Sequence, residues 1–129
     1  MPRLTRQCLL AGAALALAAV ALPSTVAHAD TFAPYARAAG YVYAGGALAH
    51  GKNIVSVSKP QAGYYCVKVS DKIDLTTAVV SVTPIDPGKM AGAYLGLSGY
   101  CSSAAQTVRV VISNPSGAKI DGAFYLFIP

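Results

Sequence analysis

Alternation of side-chain type restricts this chain more than any other feature. Val55-Ser56-Val57-Ser58, Tyr65-Cys66-Val67-Lys68-Val69, Val80-Ser81-Val82-Thr83 and Val108-Arg109-Val110 each set an apolar residue at every second position. A period of two sends successive side chains to opposite faces, so each run is predicted as a strand with one buried and one solvated face. Residues 123–128 carry bulky side chains at every position from Phe124 onward, which predicts a strand buried on both faces. Helical signals are nearly absent. Only 71–78 has room for a helical turn, capped by Asp71 or Asp74, and it is too short to form a layer of a fold.

The residues between these runs are turn formers. Lys59-Pro60-Gln61-Ala62-Gly63 and Asn114-Pro115-Ser116-Gly117 place Pro early and Gly late, as hairpin loops built on a type I turn do, and Asp86-Pro87-Gly88 marks a third connection. A strand over 35–43 and a short one near Ala47 bring the count to seven or eight. Short strands joined by tight turns predict an all-β fold, an antiparallel β-sandwich in preference to a small barrel.

The start of the chain reads as an export signal. Arg3 and Arg6 precede an apolar run from Cys8 to Leu22, Pro23 and Ser24 break it, and Ala27-His28-Ala29 offers the small-x-small pattern of a cleavage site. Residues 1–29 are therefore expected to be a signal peptide and 30–129 a single secreted β-domain, with no stable membrane insertion after cleavage. Removing the leader changes the inventory. Of three cysteines, Cys66 and Cys101 remain, and the formal charge falls from +5 to +3. An even cysteine count in an oxidising compartment predicts one disulfide, Cys66 to Cys101. Parity puts Cys66 on the face of Lys68 and Cys101 on that of Leu95 and Leu97. A bulge at Ser98-Gly99 would reconcile the two.

The same inventory argues against most chemistry. All five acids are aspartates, scattered at turn-like positions, and His50 is the sole histidine after the leader. A zinc site has too few ligands, paired-carboxylate hydrolysis too few partners, and a serine nucleophile no base except His50. Gly96-Leu97-Ser98-Gly99-Tyr100 departs from the nucleophile elbow at its last position. Gly46 to Asn53 matches a phosphate-binding Gly-x-x-x-x-Gly-Lys, but Asn53 replaces the metal-holding hydroxyl and a strand, not a helix, is expected to follow. No catalytic residue, metal or cofactor is assigned, and the chain is expected not to be an enzyme. The eight basic residues after the leader never adjoin one another, which argues against a nucleic-acid track.

Tyrosine is the unusual entry in this composition, with eight copies and no Trp. Tyr35, Tyr41 and Tyr43 share parity with Arg37, so in a strand they would share a face. Exposed, that face would stack on sugar rings or contact a protein; buried, it would be ordinary sheet packing, the commoner outcome. These four residues are the candidate ligand contacts.

From Tyr35-Ala36-Arg37, through Gly63-Tyr64-Tyr65-Cys66-Val67 before an Asp-led loop, the valine strand over 108–113 and the Pro115-Ser116-Gly117 turn, to the ending Asp121-Gly122-Ala123-Phe124-Tyr125-Leu126-Phe127-Ile128-Pro129, the chain resembles the small secreted β-domains of actinobacteria. The resemblance implies export and an all-β fold and brings no catalytic residues. The function expected is a secreted non-catalytic module with a structural or binding role at the cell envelope, its partner a cell-envelope polysaccharide or another secreted protein. The alternative is a small secreted enzyme inhibitor or toxin-like effector that presents the disulfide-tethered loop 99–106.

Overall fold

Each alternating run forms a strand. The computed structural model describes residues 32–95, 99–101 and 105–129; the expected signal peptide lies outside these, as do Ser98 of the expected bulge and residues 102–104 of the tethered loop. Among the described residues there are eight strands and no helix: β1 (Ala38–Val42), β2 (Leu48–Lys52), β3 (Ile54–Gln61), β4 (Tyr64–Val69), β5 (Ser81–Pro84), β6 (Met90–Leu95), β7 (Thr107–Ser113) and β8 (Phe124–Ile128). They build two antiparallel four-stranded sheets, in the orders β2-β1-β8-β5 and β3-β4-β7-β6, packed face to face as a sandwich.

The inward residues of both sheets make one core. Val42, Phe124, Leu126 and Ile128 of the first sheet meet Tyr65, Val67, Val69, Val108, Val110 and Ile112 of the second. Each such side chain contributes about 1.5–3 kcal/mol by leaving water. β8 is not buried on both faces. Phe124, Leu126 and Ile128 point inward, whereas Tyr125 and Phe127 keep 48% and 41% of their surface exposed on the outer face. The bulky outward residues are therefore a property of the surface.

Connections differ from expectation where tertiary bonds override local turn chemistry. Lys59 and Pro60 lie inside β3, an edge strand that tolerates a residue with no N–H to donate, and the hairpin turn shrinks to Ala62-Gly63. Gly63 has φ +74° there, and a Cβ would come within 2.7 Å of the Ile112 carbonyl oxygen, so only glycine fits. Asn114-Pro115-Ser116-Gly117 does form the expected turn, closed by Gly117 N–H donating to the Asn114 carbonyl at 2.9 Å. Residues 71–78 make turns and no helix. The Gln106 amide donates to the Ser70 and Ile73 carbonyls at 2.9 and 2.7 Å, bonds a helix would need for itself, and Ile73 is drawn into the core. The Asp74 carboxylate instead accepts from the Thr76 N–H and hydroxyl, which holds its pKa below the ordinary carboxylate value.

Two polar clusters anchor the crossing into β8. The Tyr65 hydroxyl, at the bottom of the core, donates to the Ala44 carbonyl at 2.6 Å and accepts from the Gly122 N–H at 3.1 Å. Burial pushes this phenol above its ordinary pKa, so it stays a neutral donor. Close by, the Asp121 carboxylate accepts from the Lys59 ammonium at 2.5 Å and the Gly63 N–H at 3.0 Å.

Tyr65→Phe should cost about 1–3 kcal/mol, because it leaves the buried Gly122 N–H and the part-buried Ala44 carbonyl without their partner. A urea midpoint measures the loss; a midpoint equal to wild type would show that the hydroxyl stabilises nothing. The Asp121 pair supplies a pH signature. The bonds from Lys59 and Gly63 hold the Asp121 carboxyl below its ordinary value, and the same pair raises Lys59. A lowered acid stabilises the fold above its unfolded pKa of about 3.9 and stops doing so as pH falls through the folded value. A raised base does so below its unfolded pKa and stops as pH rises through the folded one. The stability gap between wild type and Asp121→Asn should therefore be flat from mildly acidic to mildly alkaline pH and close at both extremes. A gap that widens on acidification would contradict the assignment.

Candidate functional site

The four candidate contacts do not share one strand face. Pro34 and a turn, in which the Ala36 N–H donates to the Ala33 carbonyl at 3.0 Å, keep Tyr35 and Arg37 ahead of β1. Tyr35 projects into solvent with 95% of its surface exposed. Tyr43 lies beyond the end of β1, in the turn to β2. Only Tyr41 stands on the outer face of the strand, half-buried.

Register assembles a different cluster around it. Tyr41 pairs with His50 of β2 on one side and with Tyr125 of β8 on the other, and Tyr125 in turn pairs with Thr83 of β5. The row His50, Tyr41, Tyr125, Thr83 thus crosses all four strands on the outer face. Lys52, Ala39, Phe127 and Ser81 form the row beside it. The rings touch in series: Tyr41 to Tyr125 at 5.0 Å between centroids, Tyr41 to Tyr43 at 5.0 Å, Tyr41 to His50 at 6.5 Å, and His50 to Phe32 at 5.7 Å. Lys52 closes one border by donating to the Ala33 and Pro34 carbonyls at 3.3 and 3.1 Å. The result is an exposed aromatic platform. Sequence reasoning found Tyr41 and Tyr43 and missed Tyr125, Phe127 and His50, because cross-strand register is not written in local pattern; the parity of Tyr125 and Phe127 within β8 was the available signal.

The rest of the chemistry stays dispersed. His50 packs among rings on an exposed edge strand. Among the described residues no three of His, Cys, Asp or Glu gather where a metal ion could sit, and no helix is long and apolar enough to cross a membrane. After Gly46, at φ +93°, the Gly-x-x-x-x-Gly-Lys segment becomes β2 and runs on into β3, so no helix N-terminus faces a phosphate.

The disulfide joins Cys66 and Cys101, as expected, with Cα atoms 5.5 Å apart. It lies on the outer face of the second sheet, not between the sheets. Cys66 points outward with Tyr64 and Lys68, and Cys101 belongs to a turn beyond the end of β6, so strand parity does not govern it. The bridge covers Cys66 and holds Gly99, Tyr100 and Cys101 against the sheet. Tyr100 packs on Tyr64 at 4.3 Å, and the Arg109 guanidinium lies 5.2 Å from the Tyr94 ring centre.

Comparison with known proteins finds no match: no family model, no curated protein and no solved structure matches this chain.

Opening the bridge, which spans 35 residues, should lower stability by about 4 kcal/mol at most, through the added chain entropy of the unfolded state. Because neither sulfur lies between the sheets, the reduced protein should keep its β-sheet circular dichroism in the absence of denaturant. Urea unfolding with and without reductant checks both points; loss of the sheet signal on reduction alone would overturn the second.

Proposed function

We propose that this chain is an exported, non-catalytic β module that attaches to cell-envelope polysaccharide through the outer face of its first sheet. The observation that carries the reading is the group of half-exposed rings, Tyr41 and Tyr125 with His50 and Phe127 on the neighbouring strands β1, β2 and β8 and Tyr43 in the turn after β1. Flat, rigid aromatic surface stacks on the apolar faces of sugar rings at little entropic cost, and Tyr adds a hydroxyl for the sugar's own hydroxyls. Strands hold such rings in fixed positions better than loops do. The disulfide accords with an oxidising compartment.

Retention on insoluble chitin, cellulose and peptidoglycan tests the proposal. Binding to at least one, reduced about tenfold or more by the pair Tyr41→Ala and Tyr125→Ala, is expected, each lost stack being worth about 1 kcal/mol. Absence of wild-type retention on all three polymers would sink it. The inhibitor reading draws on the exposed Tyr100 in the disulfide-held turn. It predicts inhibition in a panel of secreted proteases and glycosidases, lost on Tyr100→Ala, and silence across the panel removes it.

A further inference from the structure

The second sheet carries a separate feature on its own outer face. Tyr64, Tyr94, Gly99, Tyr100, Arg109 and Lys119 border a groove of about 330 Å³, within the range of small-ligand sites. Register explains the arrangement: Arg109 of β7 lies between Cys66 of β4 and Tyr94 of β6, and Tyr64 and Gly92 flank Val111 in the next row. Gly92 leaves space for the Tyr94 ring, since a Cβ there would stand 3.0 Å from it. That ring lies under the Arg109 guanidinium. On the Gly99 side, a Cβ would come within 3.3 Å of Arg109 Nη1, so the same guanidinium reaches the wall that the disulfide holds in place. Among the described residues two cations and three tyrosines border the groove, and no carboxylate does.

We propose that this groove binds an acidic sugar residue, its ring against Tyr64 and Tyr100 and its carboxylate between Arg109 and Lys119. Charge complementarity selects an anion, because the Arg109 guanidinium and the Lys119 ammonium, which also donates to the Gly117 carbonyl at 3.3 Å, both border the groove. The paired rings select a partner with a flat apolar face, which a small inorganic anion lacks. The site is independent of the aromatic platform, since the two lie on opposite outer faces of the sandwich.

The test is amide chemical-shift mapping of the intact oxidised protein titrated with trigalacturonate and, separately, with neutral galactotriose. Shifts confined to Tyr64, Tyr94, Tyr100, Arg109, Lys119 and their strand neighbours, produced by the acidic probe alone and weakened by salt, are expected. Arg109→Gln should weaken binding by about tenfold or more. Lys119→Gln, at an exposed position whose bridge to Ser113 is made by backbone and not by the ammonium, should weaken it severalfold, while Lys72→Gln removes the same charge elsewhere and should leave it unchanged. Equal response to the neutral probe, shifts centred on Tyr41 and Tyr125, or no shift at millimolar trigalacturonate would each overturn the proposal. So would equal binding of a short peptide through its terminal carboxylate, which would make the groove a general carboxylate site.

Discussion

The sandwich depends on the insertion of its last strand between β1 and β5. β8 pairs with β1 from Ala38 opposite Ile128 to Val42 opposite Phe124, and with β5 from Ser81 opposite Phe127 to Pro84 opposite Phe124. Without it the first sheet is a hairpin and a lone strand, neither of which has a reason to persist in water. The pairing joins opposite ends of the described chain, so its loop-closure entropy must be met before the contacts form, a topology that folds slowly. Tyr65 and Asp121 are placed where this cost is largest. Tyr65, from β4, bonds the Gly122 backbone at the crossing into β8, and Asp121, in the crossing itself, bonds Lys59 and the Gly63 backbone of the β3–β4 hairpin.

The strands and the disulfide were legible because both rest on counts that local sequence preserves: apolar spacing of two, and a cysteine number that becomes even once the expected leader is set aside. The expectations that failed needed information from elsewhere in the chain. Pro60 reads as a turn residue until β3 is known to be an edge. Residues 71–78 read as a helical turn until Gln106, a distant residue at φ +61°, takes the carbonyls that would close it. The aromatic site was half legible for the same reason. Tyr41 could be chosen by parity, but its neighbours His50 and Tyr125 come from β2 and β8, and Tyr35 and Arg37, of the same parity and a few residues upstream, fall outside the strand.

The position of the disulfide shows how labour is divided between core and bridge. Cohesion between the sheets is supplied by closely packed Val, Ile, Leu, Phe and Tyr side chains, and the sulfurs add nothing to that layer. The bridge fixes a connection that has little apolar surface of its own to bury: Gly99 and Tyr100 are exposed. A loop of that kind, with few buried apolar contacts, would otherwise open at little free-energy cost. Tethering it through Cys66, in the middle of β4, places the Tyr100 ring against Tyr64 and gives the sheet's outer face a wall.

A two-sheet sandwich of this size has no interior to spare for a ligand, because the inward positions of every strand are committed to the core. The binding proposed above therefore falls to the outward positions, and the two outer faces here are unlike. On the first sheet, rings contact one another across the strands at tilted angles, with Lys52 at the border and its ammonium directed to backbone carbonyls; the surface is aromatic and carries little charge. On the second, the disulfide-held turn adds relief, and Arg109 and Lys119 add charge, so the surface is concave and cationic. An aromatic face of that kind selects by contact area, whereas a cationic groove selects by a single anionic group. The two sites proposed above would act independently, because neither draws on the inward residues of the core that separates them.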